Sequence, residues 1–128
     1  MKFQKRIEKF SEILQKFLST DIFKVANLRR RDIPEEQGIY AIYSPENKLV
    51  YVGSTSNLRS RIYTNHLKGN ARSSTLRRKL VKRLKSEEEV SRFLESCSIR
   101  FLAVEMSERE LKSIEHFFIA ILNPLLND

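Results

Sequence analysis

Two tyrosines, an arginine, a glutamate and an asparagine are the residues of this chain whose types and spacing can do chemistry together. Tyr40 closes the tripeptide Gly38-Ile39-Tyr40, and Tyr51 opens Tyr51-Val52-Gly53. A phenol is bulky enough to pack in a core, yet its hydroxyl can orient a water or take up a proton. Arg61 follows in the run Asn57-Leu58-Arg59-Ser60-Arg61. Its guanidinium fits phosphate as a fork and keeps its charge, so it can stabilise the extra negative charge of a phosphoryl transition state. Taken alone, an arginine in a basic run is a phosphate clamp or a surface charge. Glu115 lies beside an apolar stripe of Leu111, Ile114, Phe118, Ile121 and Leu122, so its carboxylate is drawn partly toward a core. A carboxylate so placed is paired, hydrated or bound to a cation. One carboxylate, several waters and a substrate phosphate suit Mg²⁺, which gives up its hydration reluctantly. Asn127 stands just after Pro124-Leu125-Leu126, where its amide can hydrogen-bond back toward such a site. His66 and His116 read as surface or packing residues, and two histidines with one cysteine make a zinc site unsuited to this chain.

The elements that must position these groups follow from periodicity. Residues 1–18 repeat Phe3, Ile7, Phe10, Leu14 and Phe17 or Leu18 at helical spacing, with Lys and Glu between, and predict an amphipathic helix. A connection through Arg29-Arg30-Arg31 and Pro34 leads to a first strand over 38–43. Turn chemistry at Ser44-Pro45-Glu46-Asn47 joins it to a second strand over 48–53, as an antiparallel hairpin. Alternation puts Tyr40 on a face with Ile42, and Tyr51 on a face with Leu49. Ser54-Thr55-Ser56-Asn57 offers caps for a helix reaching Leu67, which Gly69-Asn70 stops. Further helices are predicted from about 74 to 84, from the capping pattern at Ser86 toward Glu95, and from Ser107 to near Leu122, with a third strand over 99–104. The expectation is a small α/β (α+β) domain: a three-stranded antiparallel sheet flanked by helices, with an N-terminal helical extension.

Composition bounds the partners. The chain has 128 residues, enough for one domain with a modest core, and its 41% apolar content supports folding. Lys and Arg total 24 against 16 Asp and Glu, giving a net charge of +8, which favours polyanions. The excess is concentrated: from Glu46 to Glu87 there is no acidic residue. Arg59, Lys68, Arg72, Arg77, Arg78, Lys79 and Lys82 lie in that interval and are the candidate nucleic-acid contacts. The single Cys97 excludes an intrachain disulfide, and no apolar run approaches membrane-spanning length, so an intracellular, cytoplasmic protein is expected.

In this order the motifs resemble the GIY-YIG nuclease family, over roughly residues 34–127. The resemblance implies a nuclease-like domain over 34–128 with a basic helical insertion at about 71–96, preceded by the helix and connection of residues 1–33. It implies metal-dependent endonucleolytic hydrolysis of DNA, double-stranded or structured, with a single Mg²⁺ or Mn²⁺ on Glu115. By motif position Tyr40 and Tyr51 match the family's tyrosines, Arg61 its helix arginine, Glu115 its metal ligand and Asn127 its late asparagine. Tyr51 would then orient or deprotonate the attacking water, helped by Tyr40, while Arg61 steadies the pentacovalent phosphate. Two departures stand out: Ser54 occupies a position where some members carry lysine, and Asn65 one where many carry histidine. His66 comes one residue later, about 100° further round an α-helix, and so receives only a supporting role. A stand-alone enzyme is expected, with specificity that is low, structural or supplied by a protein partner. A silent nucleic-acid-binding module of the same fold is the alternative, separated by whether the protein cuts.

Overall fold

The computed structural model describes residues 2–127, and its secondary structure follows the predicted order with two departures. Helix α1 (Lys2–Leu18) is followed by strand β1 (Phe23–Lys24), the hairpin β2 (Gly38–Tyr43) and β3 (Leu49–Thr55), and a π-helix (Ser60–Leu67). Helices α2 (Thr75–Leu84) and α3 (Glu87–Glu95), strand β4 (Ser98–Ala103) and helix α4 (Glu108–Leu122) complete the chain. The expected caps at Ser86 and Ser107 are in place, and Ser74 caps α2 as well: each accepts a backbone N–H from the first turn of the helix it opens.

The sheet has four strands, ordered β1-β4-β2-β3, rather than three. The additional strand is two residues long, pairing Phe23 with Ile99 and Lys24 with Ser98, too short to show an alternating pattern. It is held by its side chain as well, since Phe23 stacks on Phe101 with ring centroids 5.4 Å apart. All neighbouring strands are antiparallel.

The sheet separates two cores. On one face Tyr40, Ile42 and Val50 pack under Leu58 and Ile62, Leu76 and Leu80 of α2, and Val90 and Leu94 of α3. On the other, Ile39, Ala41 and Val52 pack under Phe10 and Phe17 of α1 and Leu111, Ile114 and Phe118 of α4. Helix α1 thus belongs to the domain core over its later turns, while Phe3 and Ile7 stay exposed. No helix among the described residues is long and apolar enough to cross a membrane.

One register detail corrects the expected alternation. Ile42 pairs with Tyr51 but the next residue, Tyr43, pairs with Leu49, so a bulge at Val50 interrupts β3. Tyr51 therefore packs with Tyr40 and Val50 on one face, whereas Leu49 joins Tyr43 on the other.

Candidate active site

The two tyrosines meet because of the hairpin register. Tyr40 lies opposite Gly53, and Tyr51 is two residues along the same strand, so the phenols form a diagonal pair with centroids 6.3 Å apart. Gly53 is what allows Tyr40 to lie flat on the sheet. A Cβ built there would stand 2.4 Å from the Tyr40 hydroxyl oxygen and 2.5 Å from Cζ. The last residue of the second tripeptide is thus a seat for the last residue of the first.

His66, given only a supporting role from its spacing, completes the cluster. It is fully buried, with its ring 5.4 Å from Tyr40 and 5.9 Å from Tyr51, and its Nε2 is 2.6 Å from the Tyr40 hydroxyl. The reason is the helix type. Over Ser60–Leu67 the chain is a π-helix, in which the Lys68 N–H donates to the Tyr63 carbonyl five residues back. With i→i+5 bonding, residues five apart stack as residues four apart do in an α-helix. The extra residue is absorbed, and His66 comes round toward Arg61 instead of pointing past it. The helix is clamped at both ends. Leu58 and Arg59 N–H groups donate to the Glu36 and Pro34 carbonyls, and Arg77 takes the carbonyls of His66 (2.6 Å) and Leu67 (2.9 Å).

Electrostatics assign distinct states to these groups. Burial, reinforced by the cations Arg61 and Arg77, lowers the His66 pKa to about 3, so its imidazole is neutral. Burial raises the Tyr40 phenol well above its ordinary value; Tyr51 and Glu115 push the same way and Arg61 opposes them. Tyr40 is therefore a protonated hydrogen-bonding group, and Tyr51 beside it is half-buried. The other ring nitrogen of His66, Nδ1, lies 2.5 Å from Ser74 Oγ, a contact that spacing did not suggest although a helix start was expected near Ser74.

Glu115 approaches from the opposite side of the sheet. Ser54 donates its hydroxyl to Glu115 Oε1 at 2.6 Å, and Lys112, one turn earlier on α4, stands 3.7 Å from the same oxygen. The Glu115 side chain is 14% exposed. A cavity of about 340 Å³ opens here, lined by Gln37, Ser54, Thr55, Ser56, Arg61 and Lys112 among others. Ser54, read from sequence as a missing cation, is instead the group that orients the glutamate, and Lys112 brings a cation from another element. Among the described residues no three His, Cys, Asp or Glu side chains converge. A partly buried carboxylate next to a cavity with room for several waters, with Glu108 the one further carboxylate lining it among the described residues, fits a hard cation that keeps most of its waters, and does not fit a multi-ligand cage.

Asn127 is placed by backbone recognition. Its Oδ1 accepts the Val52 N–H and its Nδ2 donates to the Val52 carbonyl, both at 2.8 Å. With Leu125 and Leu126 N–H groups donating to the Leu49 and Val50 carbonyls, residues 125–127 cover the outer edge of β3 as far as Val52. The amide is spent on positioning β3, immediately before Gly53 and Ser54.

The basic candidates divide. Arg77 is buried, 2% exposed, and donates to His66 O, Leu67 O, Glu87 and Ser91, so it is a structural arginine and not a nucleic-acid contact. It lies on the inner stripe of α2 with Leu76 and Leu80, a placement that charge counting misses. Arg59 is committed to the Ile33 carbonyl and Glu35, and Lys79 donates to the Leu126 carbonyl. Lys68, Arg72, Arg78 and Lys82 remain exposed. Sequence reading passed over a further basic feature: Arg29, Arg30 and Arg31, with Arg59, line an open hollow of about 340 Å³ beside the start of the π-helix.

Comparison with known proteins gives a consistent result. A family model described as the GIY-YIG catalytic domain matches residues 36–119. UvrABC system protein C from two strains of Campylobacter jejuni is 28% identical over 102 residues, covering 76% of this chain. The chain spans only 15% of the length of those curated relatives. Among solved structures, the GIY-YIG N-terminal endonuclease domain of UvrC from Thermotoga maritima, bound to magnesium as its catalytic divalent cation, is 21% identical with a TM-score of 0.45. That match covers 77% of this chain and 96% of that one. A point mutant of the same domain, bound to its catalytic divalent cation, is 20% identical with a TM-score of 0.46, covering 77% and 94%.

Proposed function

The chain belongs to the GIY-YIG catalytic-domain family, and from that premise we propose that it hydrolyses phosphodiester bonds in double-stranded or structured DNA with one Mg²⁺ or Mn²⁺ held at Glu115. The observation that supports this most is geometric: Arg61 lines the same cavity as Ser54, the serine that holds Glu115, and Tyr51 lies beside Tyr40 on the adjoining strands. A divalent cation bound at Glu115 would neutralise the scissile phosphate and stabilise the leaving oxygen. Ser54 holds the carboxylate in one orientation for that purpose.

Each remaining residue has a distinct task. Arg61, exposed on the cavity wall, steadies the phosphate as it becomes pentacovalent. Tyr51 orients the attacking water. Tyr40, seated on Gly53 and bonded to neutral His66, is a fixed polar wall that holds Tyr51 and the water in place. Asn127 keeps the edge of β3 in register so that Gly53 and Ser54 are presented correctly. Lys68, Arg72, Arg78 and Lys82, together with the Arg29–Arg31 hollow, supply the sequence-independent attraction for the DNA backbone.

The test is incubation of the purified protein with linear, branched and single-stranded DNA in Mn²⁺ or Mg²⁺. Cleavage is expected, and Glu115→Ala and Arg61→Ala should abolish it while leaving thermal unfolding cooperative. Intact DNA under every metal and substrate, with salt-sensitive binding retained, would overturn the proposal and identify a binding module.

A further inference from the structure

The groups behind Tyr40 form a line of hydrogen bonds that begins at a helix terminus. The Arg77 N–H, in the first turn of α2, donates to Ser74 Oγ at 3.0 Å. Ser74 Oγ is 2.5 Å from His66 Nδ1, and His66 Nε2 is 2.6 Å from the Tyr40 hydroxyl. Ser74, His66 and Tyr40 are each at most 1% exposed, so the line is shielded from bulk solvent as far as its Tyr40 end, which adjoins the half-buried Tyr51.

A neutral imidazole carries one proton, which leaves two ways to arrange the line. In one, Nδ1–H donates to Ser74 and the Tyr40 hydroxyl donates to Nε2. Two donors then converge on Ser74 Oγ, and the serine's own proton is left in the core, where no acceptor stands opposite it among the described residues. In the other, the Ser74 hydroxyl donates to Nδ1 and Nε2–H donates to the Tyr40 oxygen. Every bond then runs in one direction, and the single uncommitted proton is that of Tyr40, at the end next to Tyr51. Hydrogen bonds aligned in this way reinforce one another, and the positive N-terminus of α2 polarises them in the same sense.

We infer that Ser74 is a positioning residue that holds His66 in its Nε2–H form and thereby presents Tyr40 to the active site as a hydrogen-bond donor. The inference deepens the nuclease reading: a phenol that donates can bind an oxygen of the phosphate or of the attacking water, whereas one that donates backward to His66 can only accept. It also gives the π-helix a purpose, because it is on this helix that His66 stands between Ser74 and Tyr40.

Ring ¹⁵N chemical shifts of His66 decide the matter without substrate or metal. The chain has two histidines, so His116→Gln assigns the signals. The Nε2–H form is expected in the wild type, and Ser74→Thr should keep it. Ser74→Asp retains an acceptor to cap α2 but, ionised, has no proton to give, so it should turn His66 to the Nδ1–H form. DNA cleavage by Ser74→Asp and Ser74→Ala should fall by about 3- to 10-fold in kcat, with KM little changed and Ser74→Thr near wild type. An Nδ1–H wild type, or a tautomer unmoved by Ser74→Asp in a folded protein, overturns the inference. Absence of cleavage by the wild type would overturn the nuclease reading alone, because the tautomer is read independently.

Discussion

A histidine buried in its neutral form makes stability depend on pH in a way that can be worked out in advance. The His66 pKa is about 3 when folded, against an ordinary value of 6.5 that applies to the unfolded chain. Between those values the unfolded state holds a proton that the folded state does not, so stability rises with pH through that window and falls as pH drops below 6.5. Near its middle the slope is about 1.4 kcal/mol per pH unit. Integrated from pH 7 to pH 5, the loss from this one group is about 2 kcal/mol, and any folded value below about 4 gives nearly the same figure. For a domain of this size that corresponds to roughly 6–10 °C in Tm. The perturbation is His66→Gln, which removes the titrating group; carboxylates titrate equally in both proteins and cancel in the comparison. Urea unfolding of each at pH 7 and pH 5 gives two pH differences, and the wild-type one should be larger by about 2 kcal/mol. If the two differences agree within about 0.5 kcal/mol, His66 titrates normally in the fold and the neutral, buried assignment is wrong.

Other outcomes follow from the same contacts. Gly53→Ala places a Cβ against the Tyr40 ring, so it should destabilise by about 1–3 kcal/mol in thermal unfolding and cut activity further by moving the phenol off His66. A Gly53→Ala protein of wild-type stability would show that the ring has room to shift. Arg77→Ala leaves the His66 and Leu67 carbonyls without their buried donor, and should cost about 3–5 kcal/mol by urea titration, far beyond a surface arginine. Replacing Arg29, Arg30 and Arg31 together by Gln should lower the slope of log K against log salt for DNA binding by roughly 2–3. The same charge removed at Lys5, Lys16 and Lys24 should change the slope by less than about one, and an equal effect would reduce the hollow to a contribution of net charge.

The sequence alone named the candidate residues more readily than it gave their arrangement. Residue types and order were enough to bring out Tyr40, Tyr51, Arg61 and Glu115, because glycine–tyrosine tripeptides in a hairpin and a glutamate beside an apolar stripe are local patterns. Helix starts at Ser74, Ser86 and Ser107 were legible for the same reason, since capping acts within one turn. Tertiary structure decided what depends on partners distant in the chain. The fourth strand exists only because β4 offers Phe23 and Lys24 an edge. Charge counting placed Arg77 at the DNA, but its side chain is drawn inward by the carbonyls of His66 and Leu67. The bulge at Val50 and the π-helix each insert one residue into a regular repeat, and a periodicity argument carried past such a point assigns the wrong face. That is why Leu49 crossed the sheet and why His66, apparently one place too late, packs between Tyr40, Tyr51 and Ser74. A repeat can be read from types and spacing; its interruption is set by the packing on either side, here the carbonyls of Pro34 and Glu36 at one end of the helix and Arg77 at the other.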